Sequence, residues 1–310
     1  MDLSIVVLTF NAKDVTLKMF SSLKESLDFM DKKTGNRITW EVIVVDNGSI
    51  DGVAEEVDEN YGGWIKLVKQ GNVGFAKGNN RGVMEASPDS RYILFLNPDI
   101  TLDKDCIVKM YEYMESNADV GLSTCKVNLW SGGLDWDFHR GFPTPWRAFC
   151  YFSGLENILG KILPTIFGGY HLLEKDMNKE HEIDACLGAF MMVRRSVGDK
   201  VSWWPEEYFL NGEDVDFCYK IKAFAGSEIK YLPDTSITHY KGASKGTKSV
   251  STEVSKASED TKMLQINSGI EAMMIFYNKY YKDKYSRFIT KLVFAGIWLL
   301  HKKRVLLKKE

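Results

Sequence analysis

Short apolar runs alternate with amphipathic stretches along the first 127 residues. The apolar runs predict five buried strands, at residues 3–8, 41–45, 64–68, 92–96 and 120–127. The stretches between them predict helices, one starting near Leu17 and others at residues 53–61 and 103–116, and the stretch 72–82 opens a further helix that runs to about Ala86. Strands joined by helices form right-handed βαβ units. This half of the chain is therefore predicted to be an α/β, Rossmann-like fold with a mostly parallel central sheet flanked by helices.

Polar side chains stand where three of these strands end. Thr9 and Asn11 follow the first strand, Asp46 the second and Asp99 the fourth. Ligands of open α/β sheets bind at the carboxyl ends of the strands, so these groups are expected to converge at one edge. The first strand is not followed by G-x-G-x-x-G, which disfavours a dehydrogenase.

The chain is organised around Asn97-Pro98-Asp99, which ends the apolar run 92–96. Proline cannot donate to a sheet ladder, so the chain must leave the sheet there. Asp99 is then a candidate ligand for a hard divalent cation such as Mg²⁺, which takes carboxylate and phosphate oxygens together. The alternative is a simple turn in which Asp99 caps the next helix.

The second half has a weaker pattern. Residues 128–182 are rich in aromatic residues, glycine and proline and predict irregular loops with a helix or two over the active face. Residues 183–195 predict a strand, and the acidic stretch 206–217 leads into a helix that Gly226 ends. Two short extended segments, at 230–233 and 236–239, precede a Lys/Ser/Thr/Gly-rich stretch at 241–260, which predicts a mobile loop that could act as a lid.

Composition narrows the class of protein. The length of 310 residues suits one large α/β domain with extensions, or two smaller domains. The 5 cysteines are widely spaced without a C-x-x-C pair, which indicates reduced thiols and a cytosolic setting. The N-terminal apolar run is too short for a signal peptide and is interpreted as a strand. The 5 histidines show no zinc-binding spacing.

Charge is concentrated at the C-terminal end. Residues 291–310 carry 6 Lys/Arg and 1 acid, whereas the rest of the chain has a net charge of −7. Apolar residues there recur at helical spacing, but the stretch between Lys291 and Lys302 is too short to span a bilayer. We expect an interfacial helix on an anionic membrane. A helix packed on the domain or on a homodimer partner is the alternative.

Seven motifs, in order, resemble glycosyltransferase family 2, the inverting enzymes of GT-A fold, and within it the rhamnosyltransferase-like branch. The resemblance is carried by residues 4–11, 45–52, 72–80, 96–99, 188–195 and 209–216 and by His239. It implies a GT-A domain over residues 1–245, with a nucleotide-sugar-binding half (1–127) and an acceptor-binding half (128–245). Residues 246–310 would form the mobile loop and helical extension.

The resemblance also implies roles for individual residues. Asp99 and His239 would contact a divalent metal, Mg²⁺ or Mn²⁺, and Asn97 stands where the family's D-x-D motif has its first acid. The donor nucleotide-sugar would be bound by Thr9, Asn11, Asp46, Asn47, Asn72, Gly74, Phe75, Gly78, Asn79 and Asn97. The acceptor would be bound by Gly188, Ala189, Trp204 and Asp216, although core packing is an equal alternative for Trp204.

Asp214 is the predicted catalytic base, in a crowded group of acids at a helix start. Glu213 is the second catalytic candidate and could instead orient the acceptor. A helix N-terminus enriched in acids only because the dipole favours them is the structural alternative.

Together these features predict an inverting transferase that moves L-rhamnose from dTDP-L-rhamnose to a polyprenyl-diphosphate-linked saccharide in bacterial surface polysaccharide synthesis. It would act in the cytoplasm, peripherally on the inner face of the cell membrane, with no nucleic-acid partner. A UDP-sugar donor (hexose, GlcNAc or galactofuranose) is the first alternative. A sugar nucleotidyltransferase should carry a Gly-rich basic loop after the first strand, which residues 9–11 do not supply, and a non-catalytic scaffold should lack the acids.

Overall fold

The structure, a computed structural model, describes residues 1–240 and 259–307. Most of the predicted mobile loop, residues 241–258, lies outside the described residues. The strands in the described part are β1 (Leu3–Thr9), β2 (Trp40–Asp46), β3 (Ile65–Lys69), β4 (Tyr92–Leu96), β5 (Ile100–Leu102), β6 (Val120–Leu129), β7 (His181–Glu182), β8 (Phe190–Arg194) and β9 (Glu228–His239). The α-helices there are α1 (Lys13–Thr34), α2 (Val53–Asn60), α3 (Phe75–Glu85), α4 (Cys106–Ser116), α5 (Pro145–Ser153), α6 (Leu155–Leu159), α7 (Pro164–Phe167), α8 (Arg195–Lys200), α9 (Glu213–Lys220), α10 (Glu259–Tyr280) and α11 (Arg287–Leu307).

One mixed sheet forms the centre, in the order β3-β2-β1-β4-β8-β6-β9-β5, with β7 paired to β9. The β3, β2, β1 and β4 strands are mutually parallel, whereas β8 runs antiparallel to both β4 and β6. The residues of β1 and β4 are buried throughout, as expected for strands covered on both faces. The predicted α/β fold is confirmed, and the parallel half carries Thr9, Asp46 and Asp99 at the ends of its strands.

The N-terminal helices cover this sheet with one apolar face each. Met19, Phe20, Leu23 and Leu27 of α1 are fully buried, and Gly35 ends the helix at φ 64°. The predicted helix at 103–116 begins later, at Cys106, because residues 103–105 form the turn that follows β5. The Asp103 carboxylate there accepts hydrogen bonds from the Ser236 backbone and hydroxyl, which ties the turn to β9.

Two predictions for the second half need correction. The predicted strand 183–195 is a strand only at β8, since the backbone of residues 185–189 pairs with Arg140 and Asn97 instead. The two short segments predicted at 230–239 are one strand, β9, with a bulge at residues 233–235 where Pro233 cannot donate a hydrogen bond. The helix after the acidic stretch ends at Gly226 (φ 70°), as predicted.

Residues 145–167, called the insert below, form the three short helices α5, α6 and α7. They replace the mainly irregular loops expected for this part of the chain. The C-terminal region is helical, as predicted, and α11 packs on α10, where the Tyr277 hydroxyl lies 3.0 Å from the Thr290 hydroxyl. Within the residues that the structure describes, no helix is both long and apolar enough to cross a membrane.

Candidate active site

The loops after β1 and β2 hold each other in place. Asn11 adopts φ 48°, a left-handed conformation that Asn tolerates, and its side-chain oxygen accepts from the Ile50 backbone at 2.8 Å. The Asp46 carboxylate is buried and accepts from the Ser49 backbone at 3.1 Å. The buried Thr9 hydroxyl lies 3.1 Å from the Thr16 hydroxyl on α1. These three predicted donor residues therefore lie in two adjoining loops at the carboxyl edge of the sheet.

Asn47 connects these loops to the segment that follows β3. Its side chain is 3% exposed and donates to the Asn72 side chain at 3.1 Å. Its oxygen accepts from Gln70 at 2.9 Å and from the Val73 backbone at 3.2 Å. The protein itself therefore satisfies the side chain of Asn47, which ties the loop after β2 to the segment after β3.

The start of α3 fixes the position of the loop before α9. Gly74 has φ 89°, and a Cβ there would lie 2.7 Å from the Phe209 carbonyl oxygen. That same carbonyl accepts from the Phe75 backbone at 3.0 Å. Only glycine permits this approach, so α3 and the acid-rich segment 206–217 are joined by backbone contact.

Gly78 and Asn79 have surroundings other than the pocket lining that the motif suggested. A Cβ at Gly78 would lie 2.4 Å from Leu8 Cδ1, so glycine lets α3 lie close against β1. The Asn79 side chain is buried and donates to the Phe75 carbonyl at 3.0 Å. Both contacts stabilise α3 itself. The neighbouring Asn80 holds the backbone of Trp204 through two hydrogen bonds of 3.0 Å.

Asp99 and His239 come together at the ends of β4 and β9. His239 Nε2 lies 3.5 Å from Asp99 Oδ1, and its Nδ1 lies 2.9 Å from Asp135 Oδ2. All three side chains are buried. Burial lowers the pKa of His239, but the two carboxylates outweigh it and raise the pKa to about 9. Asp135, which sequence reasoning missed, fixes the orientation of the imidazole.

The chemistry of this pair fits a divalent metal only in part. Among the described residues there is no group of three or more His, Cys, Asp or Glu side chains that could hold a metal ion. A carboxylate together with an imidazole that a second carboxylate orients is nevertheless a common partial donor set. A metal at this point would need further oxygen ligands, such as those of a diphosphate.

Asp214 stands at the first turn of α9 in contact with Arg140. Its Oδ2 lies 2.6 Å from the Arg140 guanidinium, and its Oδ1 accepts from the Val215 backbone at 2.8 Å. The side chains of Arg140 and Asp214 are 13% and 10% exposed, respectively. Burial lowers the pKa of Arg140, but the Asp214 charge outweighs it, so the net shift is upward. The carboxylate is therefore held by one charged partner, with part of its surface open to solvent.

Gly188 and Ala189 link the two acidic groups. The Ala189 carbonyl accepts from the Asn97 backbone at 3.1 Å, next to Asp99. Four residues earlier in the chain, Ala185 pairs with Arg140, the partner of Asp214. A Cβ at Gly188 would lie 3.2 Å from the Phe75 ring. The segment 185–189 thus runs between the Asp99 end and the Asp214 end of the site.

Two residues predicted to bind the acceptor are buried in contacts with other parts of the protein. Trp204 is 1% exposed and stacks on Phe217 at 4.9 Å between ring centres, which is the core-packing alternative. Asp216 has no exposed surface and is bound by the Tyr208 and Tyr280 hydroxyls and by Lys279 Nζ at 2.7–2.9 Å. Asp216 therefore connects α9 to α10. Glu213 is also buried, next to Asp214.

Sequence reasoning missed Asp135 and Arg140 because both lie in the segment 128–182, whose pattern fixed no structure. Their signal was weak: three charged residues and a histidine, Asp135, Asp137, His139 and Arg140, stand close together in an aromatic-rich stretch.

The chain is similar to known proteins in sequence and in fold. The model of glycosyl transferase family 2 matches residues 4–182. The rhamnosyltransferase WbbL of Escherichia coli (strain K12) is 26% identical over 209 residues, which cover 65% of this chain and 73% of that protein.

A second relative is the N-acetylglucosaminyl-diphospho-decaprenol L-rhamnosyltransferase of Mycobacterium tuberculosis (strain H37Rv). It is 24% identical over 215 residues, 66% of this chain and 68% of that protein. The crystal structure of GalNAc-T7 with UDP, GalNAc and Mn²⁺ superposes with a TM-score of 0.53 at 12% identity. The superposition covers 77% of this chain and 44% of that one, and it shows the shared fold.

Proposed function

Because this chain belongs to glycosyl transferase family 2, we propose that it transfers L-rhamnose from dTDP-L-rhamnose, with inversion, to a lipid-diphosphate-linked saccharide. The family and its rhamnosyltransferase relatives support a glycosyltransferase of glycan synthesis. The observation that carries the proposal is the pair of acidic groups, Asp99 with His239 and Asp214 with Arg140, joined by the segment 185–189. A displacement at an anomeric carbon needs one group near the leaving diphosphate and another near the attacking hydroxyl.

Asp214 is the proposed base. In the reaction, the acceptor hydroxyl oxygen forms a bond to the anomeric carbon. The bond from that carbon to the diphosphate oxygen breaks, and the nucleoside diphosphate leaves with the electron pair. The hydroxyl proton passes to the ionised Asp214 carboxylate, whose charge Arg140 balances before the transfer. Glu213, the neighbouring acid, is the proposed orienting residue for the acceptor.

Asp99 and His239 are the residues that would hold Mg²⁺ or Mn²⁺, and His239 would have to release its proton when the ion binds, because only a neutral imidazole donates to a metal. When bound, such an ion supplies positive charge to the departing diphosphate. Asp135 keeps the His239 ring in the orientation that turns Nε2 toward Asp99. Thr9, Asn11, Asp46, Asn72 and Phe75 are the proposed contacts for the donor nucleotide, and Asn97 is the proposed donor contact beside Asp99. Asn47 and Gly74 would support that pocket from behind, while Gly78 and Asn79 would act by holding α3.

The proposed setting is the inner face of the cytoplasmic membrane, where lipid-linked saccharides are accessible from the cytosol. The acceptor named for the mycobacterial relative, an N-acetylglucosaminyl-diphospho-lipid, supports this choice of acceptor class. The basic helix α11 would lie on the anionic lipid surface. A UDP-sugar donor is the second candidate, since a structural neighbour contains UDP.

The test is product formation from a panel of dTDP- and UDP-sugars, with lipid-diphosphate GlcNAc as acceptor and with Mn²⁺, Mg²⁺ or a chelator. Transfer from dTDP-rhamnose alone is expected, and Asp214→Asn should lower kcat by about 10³-fold, because proton acceptance is lost. Donor binding, measured by calorimetry, should stay unchanged in that variant. Transfer from a UDP-sugar only would overturn the proposed donor, and an active Asp214→Asn variant would overturn the proposed base.

A further inference from the structure

We propose that the insert and α11 together form one surface that binds an anionic lipid bilayer, so that the enzyme contacts the membrane through two elements distant in sequence. The inference deepens the proposed function, on which its consequence for the acceptor rests. The surface is defined by the exposed apolar side chains of residues 145–167 and of α11, and it is called the lipid-facing surface below.

The insert exposes large apolar side chains at close intervals. Ile158, Ile162 and Ile166 are spaced by four residues and are 69%, 72% and 50% exposed. Trp146 and Phe149 on α5 are about half exposed, and their rings lie 5.8 Å apart. Exposed apolar residues on a monomer are normally scattered singly, so a cluster of this density marks a contact site.

The α11 helix has one apolar face that the protein does not cover. Val293 and Phe294 pack toward the core, and the Phe294 ring lies 5.6 Å from that of Tyr277 on α10. Phe288, Leu292 and Leu299 point away from it and are more than half exposed. These three residues follow helical spacing, so they form a continuous stripe along the outer side of α11.

The insert and α11 are in contact. The Arg304 guanidinium of α11 lies 5.9 Å from the centre of the Phe152 ring on α5, and the two helices are in contact there. The two helices are therefore neighbours in space although more than a hundred positions separate them in the sequence, and the proposed surface joins the apolar side chains that each of them exposes.

Charge identifies the bilayer as the partner. Between Arg287 and Leu307, α11 carries five Lys/Arg residues and no acid. Lys302 Nζ lies 3.9 Å above the Trp298 ring, and this combination of Trp and Lys is typical of the lipid headgroup region. A symmetric dimer through this face would bring two such helices together with no acid on α11 to balance them. An anionic bilayer offers both the apolar layer and the negative charge.

The surface also connects to the catalytic region. Arg147 on α5 donates to Asp184 at 2.8 Å, and the same carboxylate accepts from the Phe142 backbone, two residues after Arg140. The insert is thus fixed to the segment that holds Asp214. A lipid-linked acceptor lying in the bilayer would have its saccharide close to the proposed base.

The test is flotation of the full chain with vesicles of phosphatidylglycerol and phosphatidylethanolamine. The double variant Ile158→Glu/Ile162→Glu should reduce vesicle binding about tenfold, because two apolar contacts become charged. Met84→Glu is the matched control, since Met84 on α3 is 75% exposed and lies outside the surface. Thermal unfolding of both variants should match that of the parent chain. Replacing phosphatidylglycerol by phosphatidylcholine should weaken the binding of the parent chain.

Two outcomes would overturn the inference. If the double variant bound vesicles as strongly as the parent chain, the insert would not be part of the membrane contact. Sedimentation that shows a dimer lost in the double variant, with no vesicle binding by the parent chain, would make the surface an interface between copies. Flotation needs no sugar transfer, so it separates failure of this inference from failure of the proposed reaction. Transfer to a short-chain, water-soluble acceptor should remain unchanged in the double variant, while transfer to a vesicle-embedded acceptor should fall.

Discussion

Two acids two residues apart on α9 have different environments. Asp214 is bound by one cation, Arg140, and by its own helix. Asp216 has no exposed surface and receives two tyrosine hydroxyls and the Lys279 ammonium. Successive residues on a helix project about 100° apart, so one acid-rich motif serves two faces. The contrast teaches that motif membership does not assign a role: Asp214 keeps part of its surface open to solvent, whereas Asp216 anchors α10.

The environment of Asp216 also shifts the pKa values of its partners. Burial and the Asp216 charge both raise the pKa of the Tyr208 and Tyr280 hydroxyls. Burial lowers the pKa of Lys279, but Glu207 and Asp216 outweigh it, so the net shift is upward. Each partner therefore stays in its proton-donating form at neutral pH, as an anchoring site requires.

The most direct test of the contrast between Asp214 and Asp216 is the substitution Asp216→Ala. The substitution should lower the free energy of unfolding by about 4 kcal/mol, because two tyrosine hydroxyls and one ammonium lose their acceptor in a buried site. Urea denaturation measures the loss. Sugar transfer per folded molecule should be retained.

Asp216→Asn is the control for that change. Its amide oxygen can still accept from a tyrosine, so the stability loss should be about half as large. An Asp216→Asn variant with parental stability and no transfer would return Asp216 to the acceptor site and remove the contrast with Asp214.

The substitution Arg140→Gln tests the environment of Asp214. Removing the guanidinium leaves a nearly buried carboxylate without its cation, so we expect a loss of about 3 kcal/mol in unfolding free energy and a fall in transfer rate. Arg140→Lys keeps the charge and should recover most of the stability and part of the rate. Equal behaviour of the Gln and Lys variants would show that the charge of Arg140 is unimportant to Asp214.

The smallest expected effect concerns Asp184, which fixes the segment that carries Arg140. Burial raises the pKa of Asp184, but Lys222, Arg147 and the Phe142 backbone outweigh it, so the net shift is below the ordinary 3.8. Its contribution, about 1 kcal/mol, is therefore present above pH 3.8 and is lost as the pH falls through the lowered value. Acid titration of stability should be shallower in Asp184→Asn. Identical acid slopes would contradict this assignment.

The parallel half of the fold could be predicted from the sequence because burial there follows local periodicity. The predicted strand 41–45 is β2, at Trp40–Asp46, and the predicted helix 53–61 is α2, at Val53–Asn60. The end of β4 was likewise predicted from the apolar run 92–96, and it places Asp99 at the edge of the sheet.

The side-chain pairs of the site could not be predicted in the same way. Asp135 and His239 are 104 positions apart, and Arg140 and Asp214 are 74 apart. Such pairs depend on how the chain returns to the sheet, and a local pattern of apolar residues contains no information on that path. The burial of Trp204 and Asp216 has the same origin. Phe75 and Phe95, which pack on Trp204, and Lys279 and Tyr280, which bind Asp216, all lie far from them along the chain.

The long strand β9 has a consequence for how the protein is made. Ile100 on β5 pairs with His239 on β9, and β6 and β7 pair with the same strand. A chain synthesised from its N-terminus can assemble β1, β2, β3 and β4 early, since these pairings require only the first hundred residues. Asp99 can contact His239 only after residue 239 has been translated, and pairings between residues so far apart in the sequence form slowly. The proposed metal site is therefore among the last parts of the sheet to mature, and a ribosome-bound intermediate would carry the paired strands β1, β2, β3 and β4 without it.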